Sequence, residues 1–356
     1  MKEIPWRRFR LPRLLSHRGS METSSNLAFP WEAQIGLCAL ILATAFLATS
    51  VRAEVQKLDE VRFSGSIFED EDVSGVTRLG EDLLALVADE GAKIQILEKK
   101  GRKRYKVVET IALWEEDKEA DLEAVATEGK TLYAIGSHSR KRLKVRKKLS
   151  REENRRRLAT LEAEAGRKVV VRWTLDEDGK LIDRDTMHLE DLILNDPILH
   201  RFASIPSKEN GIDIEGLAVR DGRMYVGFRG PVLRGNFVPV WILGFGAKDY
   251  EVVFLNLGGH GVRGMAEVEG GFLVLAGPVG DSPGDYVLYF WDGRDCVPGE
   301  GQRACDFDRL GVVETPKGGK AEGVALIDEQ QKGWKVLVVY DSAAEGKPTL
   351  FQVDRP

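Results

Sequence analysis

The sequence lacks the short motifs that mark several common enzyme classes. It has no GxSxG elbow, no Walker loop, no Rossmann fingerprint and no HExxH pair. These absences disfavour a serine-nucleophile hydrolase and give no support to a nucleotide-binding enzyme or a zinc protease. Histidine occurs five times and cysteine three times. Cys296 and Cys305 have no histidine close by in sequence, so they make a poor zinc site.

Long apolar runs are also scarce, because residues 35–51 form the only one. Five arginines lie upstream, and Val51-Arg52-Ala53 fits a small-x-small cleavage site. This pattern predicts a secretory signal peptide with a basic extension over residues 1–53, cleaved after Ala53. An uncleaved membrane anchor is the alternative. Met21 is a possible second start, although a chain that began there would lose the basic region.

Export to an oxidising compartment would allow the cysteines to form a disulfide. Cys38 lies in the apolar run, and Cys296 and Cys305 are nine residues apart in a Gly- and Pro-containing loop. In an exported protein the simplest interpretation is one disulfide across that loop. We therefore expect a periplasmic or secreted protein whose mature part, residues 54–356, does not span the membrane. The net charge of −5 and the 43% hydrophobic content indicate neither disorder nor a polyanion-binding protein as a whole.

A short unit recurs along the mature chain. Residues 213–218 read DIEGLA, and related copies stand at 121–126 (DLEAVA), 261–266 (GVRGMA) and 320–325 (KAEGVA). A weaker copy, DVSGVT, stands at 72–77. Each copy opens a predicted strand, and β-branched and aromatic runs separated by Gly or Asp-Gly follow it.

The spacing of the copies predicts the fold. They begin at residues 72, 121, 213, 261 and 320, and intervals near 48 residues suit one four-stranded propeller blade. We predict an all-β, five-bladed propeller; six blades are possible if the longest interval hides a degenerate one. The last copy leaves room for only three strands, so residues 60–67 are expected to supply the fourth and to close the ring.

Residues 139–167 interrupt the second blade. They contain twelve Lys and Arg residues and no strand pattern, and Ser150 before Glu152-Glu153 resembles a helix start. We interpret this segment as a basic helical insertion. It is either a solvated helix without a partner or an arm that attracts phosphate-bearing ligands or acidic lipid headgroups.

The geometry of a blade predicts which face of the propeller carries the candidate functional residues. First strands start, and second strands end, on the same face of the disc. One channel mouth should therefore collect a set of charged side chains: Asp121, Glu123, Asp213, Glu215, Arg263 and Glu322 from first strands, and Asp89, His138, Arg229 and Asp341 from second strands.

So many carboxylates cannot all remain ionised without a cation, arginine or protons. Glu123, Glu215 and Glu322 could hold Ca²⁺ or another divalent cation, or Arg229 and Arg263 could neutralise them as a salt-bridged plug.

We assign provisional roles to these residues. Glu123, Glu215 and His138 are the catalytic candidates, with His138 moving protons, although an exposed or hydrogen-bonded structural histidine is an equal alternative. The expected substrate-binding residues are Arg229, Arg263, Asp213 and Asp341.

The repeats GIDIEGLA with GFRGP, and GVRGMA with LAGP, resemble a bacterial family of exported propellers of unknown function, over residues 63–353. The acidic-Glu-Gly unit is also similar to that of esterase-like phytase propellers and, more distantly, of calcium-dependent lactonase propellers. The resemblance implies a cation and an anionic or ester substrate at the channel mouth. The chain departs from it where Ser74 and Arg263 replace a glutamate.

The sequence thus favours a monomeric exported propeller that binds or hydrolyses an anionic phosphate or ester at one channel mouth, with nucleic acid excluded as a partner. The alternative is a non-enzymatic scaffold that binds a protein or an envelope component. Fold alone does not decide between them.

Overall fold

The computed structural model describes residues 54–114, 119–177 and 180–356. The predicted signal peptide, with Cys38 and Met21, lies outside these residues. Most of the described chain forms five antiparallel sheets, each built from sequential strands that run outward from an innermost one. This is the arrangement of a five-bladed β-propeller, as predicted.

The blades follow one another along the chain. Two short strands precede them: β1 (Val55–Glu60) and β2 (Arg62–Ser64). Blade 1 has β3 (Val73–Arg78), β4 (Leu83–Ala88), β5 (Lys93–Lys99) and β6 (Arg104–Ala112). Blade 2 has β7 (Leu122–Glu128), β8 (Thr131–Gly136), β11 (Val170–Leu175) and β12 (Leu181–Met187), with the hairpin β9 (Lys141–Arg142) and β10 (Leu161–Glu162) inserted. Blade 3 has β13 (Asp213–Arg220), β14 (Arg223–Gly230), β15 (Phe237–Gly244) and β16 (Glu251–Asn256). Blade 4 has β17 (Gly261–Val268), β18 (Gly271–Gly277), β19 (Tyr286–Trp291) and β20 (Phe307–Val313). Blade 5 has β21 (Lys320–Gln330), β22 (Gly333–Asp341) and β23 (Thr349–Asp354).

The ring is closed by the N-terminal strand. β1 pairs antiparallel with β23 and becomes the outermost strand of blade 5. The prediction that residues 60–67 would do this was wrong. β2 lies within that segment and pairs in parallel with β6 as a fifth strand of blade 1, and Phe63 is buried between blades 1 and 5. Five of the six β1 residues are exposed, so this edge strand carries no apolar alternation for a sequence reading to detect.

The innermost strands surround one axis. Each of β3, β7, β13, β17 and β21 contacts the innermost strands of both neighbouring blades. Aromatic side chains join the blade faces further out. Tyr225 of blade 3 packs on Phe272 of blade 4 with ring centroids 4.3 Å apart, and Phe290 of blade 4 stacks on Trp334 of blade 5 at 5.6 Å. Burial of such large apolar side chains supplies most of the stabilisation between blades.

Two excursions from the blades were predicted, and both are present. Residues 139–167 contain the helix α1 (Arg151–Ala159), which starts with a capping box between Ser150 and Glu153. The loop between β19 and β20 holds the Cys296–Cys305 disulfide. A second helix, α2 (Glu190–Asn195), and 3₁₀ turns at Leu199–Arg201 and Ser207–Glu209 fill the connector between blades 2 and 3. Within the described ranges, no helix is long and apolar enough to cross a membrane.

Candidate functional site

Each innermost strand has a β-bulge close to its start. The register against the second strand of the blade slips by one residue at the same place in all five blades. The extra residue of a bulge leaves the regular in-out alternation, and this re-aims its side chain. All five extra residues are polar and buried: Ser74, Glu123, Glu215, Arg263 and Glu322. The repeated acidic unit is therefore a repeated bulge, and its central residue joins a ring about the propeller axis.

The residue after each bulge is glycine or alanine, because neighbouring inner strands approach closely there. A Cβ on Gly264 would lie 2.6 Å from the carbonyl oxygen of Glu322, and one on Gly323 would lie 3.0 Å from the amide nitrogen of Val76. Both contacts cross from one blade to the next. The tight packing fixes the backbone that carries the ring.

Two arginines link the acidic side chains of blades 3, 4 and 5. Arg263 Nη1 contacts Glu215 Oε2 and lies 3.0 Å from Glu322 Oε1. Arg229, near the end of β14, places Nη1 2.5 Å from Glu215 Oε1, and its Nη2 contacts Asp213. Both carboxylate oxygens of Glu215 are therefore paired. These contacts are those expected of the salt-bridged plug.

Two further ion pairs stand at the starts of β7 and β21. Arg167 Nη1 lies 2.8 Å from Asp121 Oδ2, and the Ser137 hydroxyl donates to the same oxygen. On blade 5, Lys320 pairs with Asp341. Four cations, those of Arg167, Arg229, Arg263 and Lys320, thus face seven carboxylates around this mouth, which are those of Asp89, Asp121, Glu123, Asp213, Glu215, Glu322 and Asp341.

Glu123 is the unpaired member of the ring. Its residue is 8% exposed, and no hydrogen-bond donor or cation of the described residues contacts its carboxylate. Burial raises the pKa of Glu123 well above its usual range, and the nearby charges of Glu215 and Asp121 raise it further. An ionised Glu123 is therefore unfavourable unless a positive charge reaches it.

The pKa values of Asp89 and Glu322 are raised as well. Burial, assisted by the charge of Glu322, raises the pKa of Asp89 to about 9. Burial also raises the pKa of Glu322 to about 8, although Arg263 opposes the shift. The ion pairs with arginine therefore do not balance the carboxylates of the mouth.

Three carboxylates are close enough to share a metal ion. One oxygen from each of Glu123, Asp213 and Glu215 lies within 4.8 Å of the other two. All three residues are buried, and they come from the inner strands of blades 2 and 3. Oxygen ligands at this spacing suit a hard divalent cation.

The connector between β12 and β13 crosses the rim of this mouth. It begins over blade 2, where the Leu189 amide donates to His138 Nε2 at 3.3 Å. It ends beside blade 4, where Lys208 Nζ lies 3.0 Å from Asp281 Oδ1 in the loop after β18. The connector therefore forms part of the rim from blade 2 to blade 4.

Comparison with known proteins places the chain in a family. The family described as "Protein of unknown function (DUF3616)" matches residues 72–186 and 177–350, which is most of the chain. The chain belongs to the DUF3616 family. A search of the curated proteins gave no match.

Solved structures are similar to this DUF3616 protein at low identity. The PQQ-bound aldose sugar dehydrogenase of Streptomyces coelicolor has 14% identity and a TM-score of 0.45, and the match covers 86% of this chain and 99% of that one. A hypothetical protein from Leishmania major has 13% identity and a TM-score of 0.41, with 89% and 94% covered. A putative gluconolactonase has 12% identity and a TM-score of 0.36, with 86% and 83% covered. Likenesses this distant are confined to the general architecture.

The DUF3616 propeller brings most of the predicted site residues to one mouth. The contacts join Asp213, Glu215, Arg229, Arg263 and Glu322, with Glu123 beside them. The ligand geometry favours Asp213 over Glu322 as the third carboxylate, because Arg263 lies between Glu215 and Glu322. Asp341 is engaged by Lys320 and by the Ser342 hydroxyl at 2.9 Å. The catalytic, metal-binding and substrate-binding roles of these residues stay predictions.

His138 does not join them. Its Nδ1 lies 2.8 Å from the carbonyl oxygen of Gly136, and its Nε2 accepts from Leu189. Both ring nitrogens are occupied in the neutral tautomer with Nδ1 protonated. Burial lowers the pKa of His138 to about 4. These are the contacts of the hydrogen-bonded structural alternative, and proton transfer by His138 stays a prediction.

Sequence reasoning missed two cations of the mouth. Lys320 occupies the repeat position held by Asp121 and Asp213, so an alignment of the repeats contains this signal. Arg167 was counted with the basic insertion, but its guanidinium is buried against Asp121 and Glu119. Of its carboxylate partners, only Glu164 is close to Arg167 in the sequence, whereas the partners at the mouth are 46 and 48 residues away.

Proposed function

We propose that this propeller binds a hard divalent cation, Ca²⁺ by preference, at the channel mouth through Glu123, Asp213 and Glu215. One observation carries the proposal. Three carboxylate oxygens lie within 4.8 Å of one another, and one of them belongs to a buried glutamate without a partner among the described residues. A cation there would supply the charge that the four basic side chains do not.

The coordination preferences of the two ions favour Ca²⁺ over Mg²⁺, and oxygens up to 4.8 Å apart are within the reach of one Ca²⁺. Two oxygens bound to one ion are at most twice the metal–oxygen distance apart, which is about 5 Å for Ca²⁺ and about 4 Å for Mg²⁺. Ca²⁺ also accepts irregular coordination and completes its shell with carbonyl groups and water, whereas Mg²⁺ demands a near-octahedral set.

The cation would also be the means by which the mouth recruits an anion. Arg229 and Arg263 were expected to bind an anionic group directly, but both are already paired with carboxylates. An anion would meet a surplus of negative charge unless a metal offset it. We propose a phosphate or ester small molecule as the ligand. A bound Ca²⁺ could polarise its oxygen and so assist hydrolysis.

The same contacts keep the non-enzymatic scaffold as a second candidate. The pairs of Arg229 and Arg263 suit a structural plug, which needs neither metal nor substrate. We infer in either case that the protein acts outside the cytoplasm, in the periplasm or beyond, because a disulfide in a loop is typical of oxidising compartments.

The test is a metal titration of the purified protein and of a Glu123→Gln variant. With Ca²⁺ we expect a rise in melting temperature of several degrees for the wild-type protein and about one Ca²⁺ per chain by metal analysis. Glu123→Gln should lose the calcium effect, and its metal-free form should be at least as stable as the wild type, because the substitution removes a buried carboxyl group whose ionisation is unfavourable.

Glu109→Gln is the matched control, since it removes the same charge from an exposed strand residue. It should respond to Ca²⁺ as the wild type does. Equal calcium responses of wild type and Glu123→Gln would contradict the cation site. A calcium response without turnover of phosphate monoesters, phosphodiesters or lactones would retain the site and remove the hydrolase.

A further inference from the structure

The insertion in blade 2 is folded although it buries almost nothing. The helix α1 contains no buried residue. The insertion is held instead by polar contacts. Asn154 binds the backbone amide and carbonyl of Arg146 at 2.8 and 3.0 Å, and Arg157 Nε donates to the carbonyl oxygen of Lys144. The segment from Lys144 onward is thus tied back onto the helix.

Eight basic side chains of this insertion have no carboxylate within ion-pair distance among the described residues. Two of them, Arg140 and Arg157, donate to backbone carbonyl oxygens, which leaves six. All six are exposed, and they stand on the loop before α1 and on its first two turns: Lys144, Arg146, Lys147, Lys148, Arg151 and Arg155. Other basic residues of the insertion do have partners. Arg142 binds both carboxylate oxygens of Glu209, and its Nη2 lies 3.0 Å from Oε2. Lys141 Nζ lies 3.6 Å from Glu119 Oε2. The paired cations therefore fix the arm to the propeller, and the unpaired ones face solvent.

Large apolar side chains are exposed beside these cations. Val145 is 55% exposed, Leu158 51% and Leu161 41%. Val145 stands between two of the unpaired cations, Lys144 and Arg146. Exposed apolar residues cost solubility and gain nothing from a soluble polyanion, which is attracted by charge alone.

We propose that this arm, residues 140–162, docks the propeller on an anionic lipid bilayer. Clustered Lys and Arg side chains are attracted to acidic headgroups, and neighbouring apolar side chains enter the headgroup boundary. A free phosphate compound fits less well, because the six cations lie on a projecting surface rather than around a cavity. A soluble polyanion leaves the apolar side chains unexplained. The proposal does not depend on the cation site in the channel.

The direction of docking follows from the contacts of the arm. Lys144 exerts its charge on Asp281 in the blade 4 rim loop, and Arg142 binds Glu209 of the connector that crosses the mouth. The arm therefore lies on the mouth face. On the same face, acidic residues 69–72 meet the blade 5 loop through the hydrogen bonds from Ser342 and Gly346 to the carbonyl oxygens of Glu71 and Asp70. An anionic bilayer should attract the blade 2 edge and repel the blade 1 edge, so the disc docks tilted.

The test is vesicle co-sedimentation of residues 54–356 with neutral phosphatidylcholine vesicles and with vesicles containing about one-third phosphatidylglycerol. Each basic side chain near an anionic surface strengthens binding about fivefold. The variant K144Q/R146Q/K147Q/K148Q should therefore bind anionic vesicles at least tenfold more weakly. It should remain folded, because the hydrogen bonds of this loop are made by backbone atoms of Lys144 and Arg146.

The matched control is K106Q/K130Q/K248Q/K332Q, which removes four charges from exposed lysines away from the mouth face and should bind as the wild type does. V145S/L158S should weaken binding at unchanged charge, and added salt should weaken it for every variant. The proposal is overturned if the wild type sediments no better with anionic than with neutral vesicles. It is equally overturned if both quadruple variants lose binding to the same extent, or if V145S/L158S binds like the wild type while heparin competes fully.

Discussion

The environment of His138 determines its protonation. The imidazole is buried, one nitrogen donates to Gly136 and the other accepts from Leu189. A protonated ring could no longer accept from that amide, which agrees with the lowering of the pKa of His138 to about 4. His138 therefore ties the start of the connector to the end of β8 through its neutral ring.

This arrangement predicts how stability changes with pH. The unfolded chain takes up a proton on this ring near pH 6.5, whereas the folded chain does so only near pH 4. The contribution of His138 is therefore complete above pH 6.5 and is lost as the pH falls towards 4, by roughly 3 kcal/mol. NMR should detect no titration of the His138 ring between pH 5 and 8. Urea unfolding of His138→Gln should depend less on pH in the window from 6.5 to 4. A His138 resonance that titrates near pH 6.5 would contradict this account.

At the scale of the strand, the bulge is the unit that the sequence repeats. The two positions of the bulge obey different rules. The central residue can be Ser, Glu or Arg, whereas the residue after it is always Gly or Ala. The central residue can vary because its side chain points out of the regular strand pairing. The residue after it must stay small because it faces the backbone of the adjacent blade.

Gly264→Ala should therefore destabilise the protein by about 1–3 kcal/mol, because its Cβ would lie 2.6 Å from the carbonyl oxygen of Glu322 and backbone must move. Gly80→Ala is the control. Gly80 has no atom within 4 Å of an added Cβ and no positive φ, so the free energy of unfolding should change by about 0.5 kcal/mol or less. Urea denaturation of both variants measures the difference, and equal values would refute close packing at Gly264.

Most strands of the blades could be predicted from the sequence. The bulges and strand β1 could not. The Asp221-Gly222 turn, with both residues at positive φ, and the buried runs around it were readable from residue type alone. Strand β1 was not, because its identity depends on the free edge of β23 almost 300 residues away. The side-chain partners of Arg167 and His138 likewise depend on contacts between distant segments. The mouth residues could be listed from the repeat, but which of them pair could not.

For the whole molecule, closure by β1 predicts a strong effect of a short truncation. A chain that begins at residue 61 leaves β23 as a bare edge of a three-stranded blade. Compared with a chain that begins at residue 54, it should melt at least 10 °C lower and should associate at high concentration, because exposed edges pair with other chains. Calorimetry and light scattering measure these effects.

Adding a peptide of residues 54–64 should restore part of the lost melting temperature, because it can occupy the vacant edge. A peptide with the same residues in scrambled order is the control. Equal melting temperatures of the two chains would show that β1 does not hold the ring closed.

The five bulges also have a consequence for how such a propeller can change. Because backbone register directs each bulge side chain to the axis, one substitution exchanges one member of the ring and leaves the backbone of the other four in place. The strands stay fixed, but a change at one position also alters the ion pairs of its neighbours, because Arg263 pairs with both Glu215 and Glu322. New ligand preferences can be reached in single steps, without any change of architecture.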